Sequence, residues 1–261
     1  MSIAMSEKVV KIADDFWNIR GEFKIGGLLN IGTQASLLRC ASGKYVLLDA
    51  YTLNASLKAE VDALTSNGAD IEAIINLHPF HTMHVAQMHE QYPKARLYGT
   101  QRHHQKFPNL PWQPELTESA ECAALFANDL EFSIPAGVDF ISDNEHLHFS
   151  SVLAFHKSSK TIHVDDTLMY LPLPGLLGKL KKPEVSFHIT LAKTLEKRAG
   201  AARDFREWAA RLSERWADAE NLCAAHSAPL LAEPNSAIAH RIRRALQKTE
   251  KTLRAHEKKY P

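Results

Sequence analysis

The chain has 261 residues, 45% hydrophobic and 23% charged, which is enough apolar material for a core and too little charge for a disordered or coiled-coil protein. Its 31 Lys and Arg against 30 Asp and Glu leave a formal charge of +1, so no global field recruits nucleic acid or an anionic membrane. No apolar run approaches the ~18 residues of a membrane span, Glu7, Lys8 and Lys11 interrupt any secretory leader, and three scattered cysteines argue against a disulfide framework and for a reducing cytoplasm. The compositional outlier is histidine, with 14.

In chain order, residues 36–39 and 45–48 read as a hairpin split at Ser42-Gly43. Leu57, Val61 and Leu64 recur at helical spacing and stop at Gly68, and residues 71–77 then form a buried strand. A helix over 85–91, closed by Pro93, leads to a short strand at 95–98, an α/β rhythm. Residues 102–120 carry Pro108, Pro111 and Pro114 without a clear period and read as a surface loop. Strands follow at 130–134, 152–155 and 161–164, the last two joined by the turn Lys157-Ser158-Ser159-Lys160. Phe205, Trp208, Ala209, Leu212 and Trp216 make an amphipathic stripe, and a strand at 222–225 should follow. A final basic amphipathic helix, 234–261, starts near Pro234 and turns Ile238, Ile242, Ala245, Leu246 and Leu253 inward.

Four polar clusters fall at strand ends: His78-Pro79-Phe80-His81-Thr82-Met83-His84, Glu145-His146-Leu147-His148, Asp165-Asp166 and Ala225-His226. Loops anchored on a sheet can aim several side chains at one point, and neutral imidazole with carboxylate is the ligand chemistry of a zinc-type ion.

In this order the clusters resemble the metallo-β-lactamase fold superfamily, with its histidine-rich loop after a strand, a histidine before a hairpin, an aspartate after that hairpin and a last histidine on a late strand. Leu47-Leu48-Asp49-Ala50 is similar to the family's early strand ending in aspartate, and residues 148–170 to its hairpin. The resemblance spans residues 21–229. It implies an αββα sandwich, two mixed β-sheets face to face and flanked by helices, as a single domain over 1–261 with the C-terminal helix packed on it. It further implies a metal-dependent hydrolase in which Asp166, His84 and His226 are catalytic and the metal ligands come from His78, His81, His84, His148, Asp166 and His226. The cofactor implied is a divalent metal, Zn with Mn or Fe as alternatives, as one or two ions.

The departures from the family carry information too. Met83 stands where the family has the aspartate of its second metal, and a thioether is a poor ligand for such an ion, so the second site is expected to be weakened. His78, His81 and His84 are three apart, so His78 reaches the metal only if the loop bulges by one residue. His146 and His148 alternate by two and share one face of a strand; His148, nearer the hairpin, is favoured and His146 stays open. Asp49 is expected to support the loops by hydrogen bonds. His103, His104 and Trp112 are expected to line the substrate pocket from the 102–120 loop, although Trp112 could equally anchor that loop. A small-molecule substrate is expected: an ester, thioester, lactone or phosphoester. The rival reading is a degenerate member that binds a ligand or partner without hydrolysis. Neither a membrane nor nucleic acid is expected as partner, the basic face of the last helix reads as solvated, and a homodimer is left open.

Overall fold

The structure is a computed structural model that describes residues 7–25, 29–170, 184–233 and 237–261. The chain forms two compact units, residues 1–131 with 156–159, and residues 132–155 with 160–261.

The first unit is built on a six-stranded mixed sheet. β1 (Lys8–Ala13) and β2 (Phe16–Gly21) pair antiparallel, a hairpin the sequence reading did not assign. β3 (Lys24–Ile25) and β4 (Leu29–Asn30) form a separate short ladder. The expected hairpin is present as β5 (Thr33–Arg39) and β6 (Tyr45–Leu48). α1 (Ala55–Leu64) then crosses to β7 (Ile71–Ile75), and α2 (Val85–Gln91) to β8 (Arg96–Tyr98). Both crossovers return the chain parallel to the strand before, which gives the order β1-β2-β5-β6-β7-β8.

Local chemistry sets these boundaries. The Asn54 side chain accepts the Leu57 amide at 3.0 Å and starts α1. Beyond the helix, Ser66, Asn67 and Gly68 all turn left-handed, with Gly68 at φ 79°, where an added Cβ would meet the Tyr92 ring at 2.6 Å. One face of the sheet packs Trp17, Ile19, Leu37, Leu47 and Ile74 against Leu57, Val61, Met88 and Tyr92. The alternate residues of β2 and β5 form a buried polar row, in which Asn18 donates to Gln34 and Ser36 at 3.0 Å each, and Arg20 donates to Gln34 at 3.1 Å.

The stretch expected as an irregular loop from 102 onwards instead opens with α3 (Gln101–Lys106) and ends at α4 (Ala120–Leu125). The Thr100 side chain and the His103 ring cap each other's backbone, and the Ser119 hydroxyl accepts the Cys122 amide at 3.1 Å. Capping therefore starts two helices too short for hydrophobic periodicity to reveal.

The second unit is organised around a four-stranded sheet in the order β14-β11-β10-β9, from β9 (Leu130–Ser133), β10 (Leu153–His156), β11 (Thr161–Val164) and β14 (Asn221–Ala224). β14 runs parallel to β11. Between β11 and β14 the chain adds a ladder of β12 (Leu168–Tyr170) with β13 (Val185–Phe187), then α5 (Leu191–Thr194) and α6 (Ala201–Arg215). The predicted stripe is the buried face of α6: Phe205, Trp208, Ala209, Leu212 and Trp216 pack with Phe155, Ile162, Leu222, Ile242 and Leu253. The last helix, α7 (Ile238–Lys259), is present; its expected start at Pro234 lies outside the described residues. Among the described residues no helix is long and apolar enough to cross a membrane, and Cys40, Cys122 and Cys223 are all buried and outside any disulfide.

Candidate metal centre

In the first unit the histidine loop leaves the end of β7 and enters α2. Asp49, at the end of neighbouring β6 and left-handed at φ 57°, accepts the Leu77 amide at 2.7 Å, which ties the start of the loop to the sheet. The carboxylate thus supports the loop, as its position suggested. His78 is fully buried, and its ring stacks on His81 with centroids 4.0 Å apart and planes 18° apart. The Phe80 amide donates to His78 Nδ1 at 3.1 Å, so the neutral ring carries its proton on Nε2.

His84 stands at the N-cap of α2. Its Nδ1 lies 2.8 Å from the Thr52 hydroxyl and its ring packs on Tyr51, so Nε2 is the nitrogen presented outward. Burial, with His81 as a second cause, holds its pKa below the ordinary value; the ring is neutral at pH 7, the form that binds metal. Met83, between these histidines, is 66% exposed.

The second unit brings its own set together through strand register. β11 and β14 run parallel with Val164 opposite Ala224, so Asp166 and His226 leave the same end two residues on. His226 Nε2 lies 3.1 Å from Asp166 Oδ1, and the carboxylate is buried. Asp165, just before Asp166, is not left-handed. Thr167 donates to the Phe149 carbonyl at 2.8 Å and accepts the Ser151 amide at 3.2 Å, which fastens the segment after His148 to the Asp166 turn.

Residues 145–150 are not a strand, contrary to the expectation that alternation puts His146 and His148 on one strand face. The Leu147 amide bonds to the Asn144 carbonyl in a turn; His146 is exposed, and His148 Nε2 bonds to the Glu145 carbonyl. Turn chemistry around Asn144 overrides the period-two pattern there.

Of the three pocket candidates, His103 is fully buried, shares Nδ1 with the Thr100 hydroxyl at 2.9 Å, and has its pKa pushed down to about 3 by burial. It is a capping group whose Nε2 reaches towards the His81 carbonyl at 3.5 Å. His104 stacks on Trp112 at 4.9 Å, and Trp112 donates its indole N–H to the Phe107 carbonyl at 2.8 Å.

Two residues escaped the sequence reading. Thr52 orients His84, and a lone threonine carries no motif. His188 follows β13, directly across the ladder from Thr167, the residue after Asp166. The Thr190 amide and hydroxyl hold its Nδ1 at 3.3 and 2.7 Å, and its ring feels Asp166, His226 and His148 although burial dominates its lowered pKa. Only the β12–β13 register could have found it.

The donor types suit a divalent ion: the first unit offers the imidazoles of His78, His81 and His84, and the second the carboxylate of Asp166 with the imidazole of His226. Each set also holds an orphaned buried polar atom: Oδ1 of Asn76 in the first unit and the hydroxyl of Ser227, beside His226, in the second.

No protein-family model and no curated protein matches the sequence. Solved structures do match. A metallo-beta-lactamase from Pontibacter korlensis is 14% identical with a TM-score of 0.56 over 93% of this chain and 99% of that one. One from Hirschia baltica is 13% identical with a TM-score of 0.59 over 95% and 97%. FIM-1 from Pseudomonas aeruginosa, solved in its mono-zinc form, is 11% identical with a TM-score of 0.58 over 93% and 96%. The chain therefore has the metallo-β-lactamase fold, an αββα architecture of two mixed sheets flanked by helices, as the order of its histidine and aspartate clusters implied. It is a divergent example of that fold.

Proposed function

We propose that the protein is a metal-dependent hydrolase acting on a small ester, thioester, lactone or phosphoester, with its divalent ion held by ligands drawn from His78, His81, His84, His148, Asp166 and His226. The observation that carries this reading is the Asp166–His226 pair at the ends of β11 and β14, 3.1 Å apart on a fold whose solved examples are metallo-β-lactamases. A zinc-type ion, when bound, lowers the pKa of a water towards ~7 and polarises a carbonyl or phosphoryl oxygen. Asp166 offers a buried carboxylate that orients the attacking water and accepts its proton. His226, already within hydrogen-bond reach of that carboxylate, steadies its charge. His84, held neutral and aimed by Thr52, contributes an imidazole nitrogen without reorganisation. His104 and Trp112, stacked as a unit, are proposed as part of the rim that receives substrate, with His103 acting beneath them through the α3 cap.

Metal analysis of protein purified without chelator, followed by a substrate panel, tests this. Bound zinc, manganese or iron at one ion per chain, lost with turnover in Asp166→Ala, is the expected result; metal-free protein under metal-replete conditions overturns it. The mono-zinc form of FIM-1 sets the precedent for one ion.

A second reading, a metal-poor binding protein, has its own observations. His78 already accepts the Phe80 amide on Nδ1, so ligation through Nε2 requires that bond to be released, and Met83 points to solvent where a carboxylate is needed. Met83→Asp separates the two: a rise in metal affinity favours the hydrolase, and no change favours the binder.

A further inference from the structure

The basic face of α7 is not evenly neutralised. Arg206 of α6 takes both nearby acids, Glu250 and Glu257, at 2.9 Å each, and Arg254 shares Glu250 at 3.7 Å. Past this clamp, where the last turns of α7 meet α5, a groove of about 590 Å³ is lined by Lys193, Lys197, Lys251 and Lys259 and by no carboxylate. None of the four lysines is in an ion pair among the described residues. Glu196, between the first two, is turned to Arg198 at 2.5 Å, and the Asp139 carboxyl feels Lys197 only as a minor influence.

The groove has a fixed, partly apolar floor. Leu195 is buried beneath it and Ala255 lies on its α7 side. His256 donates from Nε2 to the Glu196 carbonyl at 3.0 Å, and the Tyr260 ring packs on it at 4.7 Å. These contacts pin α7 to the segment after α5, so the backbone positions that carry the four lysines are set by the fold. Four cations around one concavity repel one another, and an anion placed among them relieves that repulsion. A groove of this size takes a drug-sized molecule.

We propose that this groove is a binding site for an organic diphosphate, its phosphates among the four lysines and its less polar portion on Leu195 and Ala255. An adjoining groove shares Lys251 and Ala255 and adds Arg254 and Lys258, but Glu250 also lines it, and the apolar floor favours a compact ligand over a nucleic-acid backbone. The site is independent of the hydrolase reading.

Calorimetric titration of the full chain with pyrophosphate, adenosine diphosphate and adenosine tests the proposal, on both zinc-loaded and EDTA-treated protein. Expected are saturable one-to-one binding of both phosphates, tighter for the diphosphate with its organic portion, no binding of adenosine, and equal affinity with and without zinc. Lys251→Gln with Lys259→Gln, both exposed and so neutral for folding, should weaken binding at least tenfold, whereas Lys58→Gln, which is not part of the groove lining, should not. Absent or unsaturable binding, affinity unchanged in the double variant, dependence on zinc, or preference for an oligonucleotide that grows with its length would each overturn it.

Discussion

The hydroxyl of Thr52, 2.8 Å from His84 Nδ1, decides which nitrogen of that ring can meet an ion. Side chains that orient a metal-binding histidine typically govern affinity by 10–100-fold. Thr52→Val, nearly the same volume without the hydroxyl, is therefore expected to lower zinc affinity by roughly that factor, measured by competition with a chromophoric chelator. An unchanged affinity would remove His84 from the ligand set. At this scale the sequence was legible in residue type more than in role. His84, Asp166 and His226 stood out because they fall in the order of the metallo-β-lactamase resemblance, whereas Thr52 and His188 owe their places to contacts with residues distant in the chain.

Among the elements, the start of α6 depends on a glycine in a different segment. Gly137 is left-handed at φ 72°, and a Cβ there would lie 2.0 Å from the Ala201 carbonyl oxygen, in the first turn of the helix. Gly137→Ala meets both a forbidden backbone conformation and a rigid backbone atom, so it is expected to destabilise the protein by more than about 2 kcal/mol, read from urea midpoints. A cost near zero would mean that the segment shifts freely. Elements with a long apolar stripe, such as α6 and α7, were legible because periodicity reports burial. α3 and α4 were not, since each is held by a cap at its start and spans too few turns to show a stripe.

For the protein as a whole, His156 ties folding to pH. Its ring is buried against Phe16, and Nδ1 lies 2.8 Å from the Ser159 hydroxyl. Burial, outweighing the carboxylates of Asp15 and Asp129, holds its pKa below the ordinary 6.5. As pH falls through that value the unfolded chain takes up a proton that the native ring refuses, so the unfolded state binds more protons and stability declines with falling pH. The stabilisation is complete above 6.5 and shrinks below it. His156→Gln should flatten the loss of stability between pH 7 and pH 5, as urea midpoints at the two ends would show; a slope equal to that of the parent chain would assign the acid sensitivity elsewhere.

What the sequence determined by itself was the order of things. Short apolar runs broken by Gly, Pro and Asn dictated the β5–β6 hairpin, the β6-α1-β7-α2-β8 alternation and the strands β10, β11 and β14, because local burial and turn chemistry act over a few residues. That order, with histidine and aspartate at the strand ends, carries the resemblance to the metallo-β-lactamase fold. Only the tertiary structure decided that His78 spends Nδ1 on Phe80 and that His103 serves α3. It alone set His226 within 3.1 Å of Asp166. Hydrogen bonds and strand register bring together residues far apart along the chain, and no pattern of residue types encodes which partner a side chain will face.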